Sequence, residues 1–75
     1  MSFAKNLKQL RNEKQLSQEA LAEILDVSRQ AVSKWETGVS DPSTSNLFAL
    51  AKLFGVSVEE LLNEVANFSY SLIAF

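Results

Sequence analysis

Two short apolar-periodic stretches stand almost back to back, and the link between them limits what the chain can fold into. Ser17 precedes Gln18–Leu25, where Leu21, Ile24 and Leu25 recur at helical spacing. Ser28 precedes Arg29–Thr37, where Val32 and Trp35 share a helical face. A serine hydroxyl at the head of a helix accepts a bond from an otherwise unpaired backbone N–H, so both serines read as N-caps. Only Asp26 and Val27 remain as the connection. So short a link makes the two helices cross at a large angle. Ala22 is small enough to admit a close crossing, and Val27 can plug the space between the helices. The second helix then projects from the body of the domain.

The same punctuation extends to the rest of the chain. Phe3, Leu7, Leu10 and Lys14 follow helical spacing and predict a first helix over 3–14, with Ser2 as its cap. Gly38 stands just past the third helix, at the position where a left-handed residue closes a helix. Val39 to Pro42 reads as a loop. Ser43 caps a fourth helix, in which Leu47, Leu50, Ala51 and Phe54 face one way, and Gly55 ends it. Ser57 and Glu60 form a capping box that opens a fifth helix, with Val58, Leu61, Leu62 and Val65 turned inward. No segment before residue 67 alternates long enough to predict a strand. The expected fold class is all-α: five helices over residues 1–66, followed by a short apolar tail over 67–75.

Composition excludes most chemistry. The chain has 75 residues, enough for one core and no more. Apolar residues make up 47% and charged residues 21%, a globular balance. It has no cysteine and no histidine. That removes the thiolate nucleophile, the disulfide and the commonest metal ligand and general base. Glu59 and Glu60 are neighbours in sequence, so they diverge around their helix and read as capping and solvation. The reading is therefore a non-enzyme with no metal and no cofactor. No small-molecule ligand is evident. Lys5, Lys8 and Arg11 interrupt the first dozen residues, so no signal peptide is expected. No apolar run approaches the roughly 20 residues of a membrane helix. The expected location is the cytoplasm. A domain this small also gains from self-association.

Charge is distributed unevenly. The net charge of −2 disfavours an anionic partner. Yet residues 1–34 carry six cations against four acids, and residues 35–75 carry one cation against five acids. An anion would meet the first half. On the outer face of the third helix, Arg29 and Gln30 occupy the first turn and Ser33 and Lys34 the next. Arginine can grip guanine O6 and N7, and glutamine can grip adenine N6 and N7.

Residues 5–62 resemble the helix-turn-helix family of phage repressors and Cro proteins, the lambda-repressor-like DNA-binding domains. The stretches that carry the resemblance are Leu16–Ala22, Val27–Gly38, Pro42-Ser43, Leu50–Ser57 and Glu60-Leu61-Leu62. The resemblance implies sequence-specific binding of double-stranded DNA by a transcriptional regulator, a repressor in the first instance, with helix 29–37 in the major groove. It maps base reading onto Ser28, Arg29, Gln30, Ser33 and Lys34. It maps phosphate contact onto Gln18, at a helix start that suits an anion. Lys5, Lys8 and Ser40 are further phosphate candidates. It also implies that Arg11 and Glu36 form a structural pair, so Arg11 is not counted as a DNA contact. Most members of this family bind as two-fold dimers, so a homodimer is expected.

Two features depart from the family pattern. The loop after the third helix, Val39-Ser40-Asp41, carries an acid where lysine or arginine is common. Backbone N–H groups and Ser40 are the donors left there. The tail, Asn67 to Phe75, is apolar for a chain end. Phe68, Tyr70 and Leu72 alternate as in a strand, while Phe68, Leu72 and Phe75 also fit one helix face. Phe68, Tyr70, Leu72 and Phe75 read as a dimer contact, as the stub of a longer protein, or as a segment folded back on its own core. The acidic second half and this tail also suit an alternative function, a protein-interaction module resembling an antitoxin.

Overall fold

Four serines open helices and four left-handed residues close turns, and between them they divide the chain. The computed structural model describes residues 3–62. Within them lie α1 (Phe3–Glu13), α2 (Gln18–Leu25), α3 (Arg29–Thr37), α4 (Thr44–Phe54) and α5 (Val58–Leu62), with no strand among the described residues. The Ser17 Oγ accepts the Ala20 N–H at 3.0 Å and the Ser28 Oγ accepts the Ala31 N–H at 3.1 Å. The Ser43 Oγ accepts the Asn46 N–H at 3.2 Å. At α5 the capping box is reciprocal: the Glu60 N–H donates to Ser57 Oγ at 3.0 Å, and the Ser57 N–H donates to Glu60 Oε1 at 2.9 Å.

The helix ends follow one rule. Gln15, Asp26, Gly38 and Gly55 all take positive φ. After each, the next N–H turns back to a carbonyl five residues earlier: Leu16 to Arg11, Val27 to Ala22, Val39 to Lys34 and Val56 to Ala51. This is the bond pattern of the Schellman motif. It reverses the chain within one residue, which is why Asp26 and Val27 suffice between α2 and α3. Gly38 holds φ of +79°, and a Cβ added there would meet nothing within 4 Å. The cost of Gly38→Ala is therefore backbone strain alone, about 1–2 kcal/mol. Urea denaturation should show that loss, and a smaller one for Gly38→Asn, because asparagine tolerates the left-handed region better.

The core consists of Leu7, Leu10, Leu21, Ala22, Val32, Trp35, Leu50, Ala51, Phe54 and Leu61. It is built where α3 packs on α1 and α2, and α5 on α1 and α4. Ala22 is buried at the α2–α3 crossing, and Val27 packs partly buried against the core.

Two expected inward residues face solvent instead. Ile24 is 53% exposed, because the buried arc of α2 runs through Leu21, Ala22 and the partly buried Leu25. The small Ala22 turns toward the neighbouring helix, which rotates Ile24 off the inner face. Leu62 is 50% exposed, since α5 seats Leu61 and turns its successor by about 100°. The expectations for Ser2, for Val65 and for the tail residues Phe68, Tyr70, Leu72 and Phe75 lie outside the described residues. No helix among the described residues is long and apolar enough to cross a membrane.

Candidate nucleic-acid interface

The α3 helix has a fixed inner face and a free outer one. Val32 and Trp35 are buried, at 0% and 4% exposure. Arg29, Gln30 and Lys34 are exposed, and Ser33 is half-buried. Ser28 is exposed at the head of the helix. Its hydroxyl accepts the Ala31 N–H, which leaves its own proton free to donate outward. No acid stands on α3 before Glu36.

A carboxylate anchors the far end of this helix. Arg11 Nε donates to Glu36 Oε2 at 2.5 Å and Arg11 Nη2 donates to Glu36 Oε1 at 3.0 Å. Arg11 Nη1 donates to the Leu16 carbonyl at 2.8 Å. One guanidinium thus ties α1, the α1–α2 turn and α3 together. The two side chains are 11% and 3% exposed. The hydrogen bond to Glu36 pushes the Arg11 pKa above its ordinary value, desolvation opposes it, and the Glu36 charge adds to the rise. Because the shift is upward, its stabilisation is complete below the ordinary arginine pKa and fades only above it. Arg11 stays charged across the whole neutral range.

Glu36 holds a second donor. Gln18 Nε2 donates to Glu36 Oε1 at 3.0 Å. Arg29 Nη1 in turn donates to Gln18 Oε1 at 3.4 Å. Arg11, Glu36, Gln18 and Arg29 thus form one hydrogen-bonded chain running from α1 to the head of α3. Arg29 also borders a cleft with Glu19, Ala22, Glu23 and Val27.

The remaining candidates stand apart from this cluster. Lys5 and Lys8 are exposed on α1, along a shallow depression shared with Gln9, Asn12 and Glu13. Ser40 is exposed in the loop after α3. The loop differs from expectation in one respect. The N–H groups of Val39 and Ser40 both donate to the Lys34 carbonyl, at 2.9 and 3.3 Å. The left-handed Gly38 turns them inward, so these two donors are not free for phosphate and the exposed Ser40 hydroxyl is the side-chain donor there.

Sequence reasoning missed two members of this framework. Asn6 is 1% exposed, and its Nδ2 donates to the Leu61 carbonyl at 2.9 Å, tying α1 to α5. The signal was present: Asn6 falls on the same stripe as Phe3 and Leu10, at the spacing of a buried position. The Gln18–Glu36 contact had no such signal, since it depends on how α2 crosses α3.

These elements define a lambda-repressor-like domain, all-α, with the far end of α3 tied to α1 through Glu36 and Arg11. The chain belongs to the helix-turn-helix family, whose model matches residues 7–61. An HTH-type transcriptional activator from Enterococcus faecalis, BcrR, is 49% identical over 63 residues, covering 84% of this chain and 31% of that protein. A prophage-derived HTH-type transcriptional regulator from Bacillus subtilis, YonR, is 37% identical over 60 residues, covering 80% of this chain and 56% of that protein. The antitoxin PezA of Streptococcus pneumoniae is 35% identical over 62 residues, covering 83% of this chain and 39% of that protein. The chain thus spans from about a third to just over half the length of these relatives.

Among solved structures, the P22 c2 repressor in complex with a synthetic operator superposes with a TM-score of 0.80 at 29% identity, covering 87% of this chain and 98% of that one. A hydroxypropylphosphonic acid epoxidase from S. wedmorenis superposes with a TM-score of 0.72 at 29% identity, covering 81% of this chain and 32% of that one. The fold therefore also occurs in part of an enzyme, and function has to be argued from the α3 face.

Proposed function

We propose that this chain is the sequence-reading, double-stranded DNA-binding unit of a transcriptional regulator acting in the cytoplasm. One observation carries the reading. The α3 helix presents Arg29, Gln30 and Lys34 outward over a buried seat of Val32 and Trp35, with Glu36 locking its end to Arg11. A helix so held can enter a major groove as a rigid body. Arg29 and Gln30 carry the bidentate donors suited to guanine and adenine, with Ser28, Ser33 and Lys34 beside them. Gln18, Lys5, Lys8 and the Ser40 hydroxyl contact phosphates. Two copies related by a two-fold axis would place two α3 helices in successive major grooves, about 34 Å apart. Such binding represses by occluding the polymerase; activation by touching the polymerase is the alternative, and the relative BcrR is an activator.

The cationic phosphate contacts are Lys5 and Lys8. Each neutralised phosphate contributes about −0.9 to the slope of log K against log salt, so two give a slope of about −2 per protomer. A salt titration of duplex binding measures this. A slope near zero would mean that this face meets no phosphate.

The likeness to the antitoxin PezA favours a second reading, a protein-binding module on the same scaffold. It predicts that Arg29→Ala together with Gln30→Ala leaves biological activity intact while removal of residues 67–75 abolishes it. The DNA reading predicts loss of activity with the double substitution.

A further inference from the structure

A glutamine amide has two unlike ends, a donor and an acceptor. The surroundings of Gln18 admit only one orientation. An ionised carboxylate can only accept, so Glu36 requires the Nε2 end of Gln18, which lies 3.0 Å from its Oε1. Turning the amide over would set two acceptor oxygens against each other. Glu36 cannot rotate to relieve that contact, since Arg11 holds both of its oxygens and its side chain is 3% exposed. The Gln18 carbonyl is thereby aimed at residue 29, where it accepts Arg29 Nη1 at 3.4 Å. Arg29 is otherwise exposed, with no other hydrogen bond or ion pair from its guanidinium among the described residues.

We propose that Glu36, acting through Gln18, is a positioning residue that sets the pose of the Arg29 guanidinium and so the base it reads. This rests on the reading of α3 as a major-groove helix. With Nη1 turned to Gln18, the Nε and Nη2 edge makes no bond to the described residues. Its two parallel N–H groups match the N7 and O6 acceptors of guanine. The acceptor presented at position 18 also dictates a donor at position 29. Glu36 therefore has two roles: it fastens α3 to α1 and it fixes the polarity of the amide that orients Arg29.

The test uses the full chain and the duplex it selects from a random pool. Arg29→Ala first locates the base pair that residue 29 reads. Affinities are then measured for all four base pairs at that position and at each neighbouring position, for the wild type, Gln18→Met and Glu36→Gln. Gln18→Met keeps length and leaves the Arg11–Glu36 pair intact, so unchanged discrimination in it overturns the inference even if Glu36→Gln fails to fold by circular dichroism. Glu36→Gln supplies a side chain that can accept or donate, and so frees the Gln18 amide to turn over. The expected result is a loss of about tenfold in discrimination at the Arg29 base pair, with discrimination elsewhere unchanged within about twofold. Equal weakening on every sequence would show that Gln18 only holds phosphate, and would overturn the inference while leaving the proposed function standing. Unchanged discrimination would overturn it likewise. A wild-type chain that selects no sequence at all would sink the major-groove reading and this inference with it.

Discussion

Glu36→Ala lowers the unfolding free energy by about 3–5 kcal/mol, the usual cost of stranding one member of a buried ion pair. The substitution leaves the Arg11 guanidinium nearly enclosed with the Leu16 carbonyl as its one remaining partner. Gln18 Nε2 loses its acceptor at the same time. For a domain of this size each kcal/mol moves the midpoint by about 4–8 °C, so thermal melting followed by circular dichroism should show a drop of at least about 12 °C. The loss comes from the stranded charge more than from the missing attraction. The double variant Arg11→Met with Glu36→Leu should therefore recover most of the stability, because it removes both charges and fills the same space. A double variant as unstable as the single one would mean that geometry, not charge, sets the cost.

Arg29→Ala acts on recognition and spares the fold. Arg29 is exposed and its one side-chain bond, to Gln18, is a long one at 3.4 Å. Stability should stay within about 0.5 kcal/mol of the wild type, as for most surface changes. Affinity for the preferred duplex should fall by about 1–3 kcal/mol, with preference relaxed at one base pair per half-site. Affinity for unrelated duplex should change less, and only through the loss of one charge. Titration of both duplexes at fixed salt separates these terms. An equal loss on both would reduce Arg29 to a phosphate contact.

The helix boundaries were legible where the chain marks them. A serine cap opens each of α2 to α5, and Gly38 and Gly55 close α3 and α4, whereas the left-handed turns at Gln15 and Asp26 carry no glycine to announce them. Such signals are local, and local signals survive in a sequence. Facing was less legible. Ile24 and Leu62 sit on apolar spacing yet face solvent, because which side of a short helix is covered depends on its neighbours. Asn6 reversed the error: it is polar and buried, and is accommodated by the Leu61 carbonyl fifty-five residues away.

The α3 face was legible as a set of residue types, and Arg11 and Glu36 could be paired only through a family resemblance. Their joining to Gln18 and Arg29 was not legible, since it follows from the crossing of α2 over α3 and from which end of an amide meets a carboxylate. The inward turn of the Val39 and Ser40 N–H groups was hidden for a related reason. The sequence marked Gly38 as a stop, but the aim of the next two donors is a matter of backbone geometry.

Selection from a random duplex pool, carried out at low salt with the wild type and with Arg29→Ala in parallel, tests the central claim most directly. The account predicts enrichment of a two-fold-related motif with half-sites about one helical turn apart, and loss of preference at one base pair of each half-site in the variant. Binding that enriches no motif and simply fades as salt rises would contradict it, because the α3 face would then hold DNA without reading it.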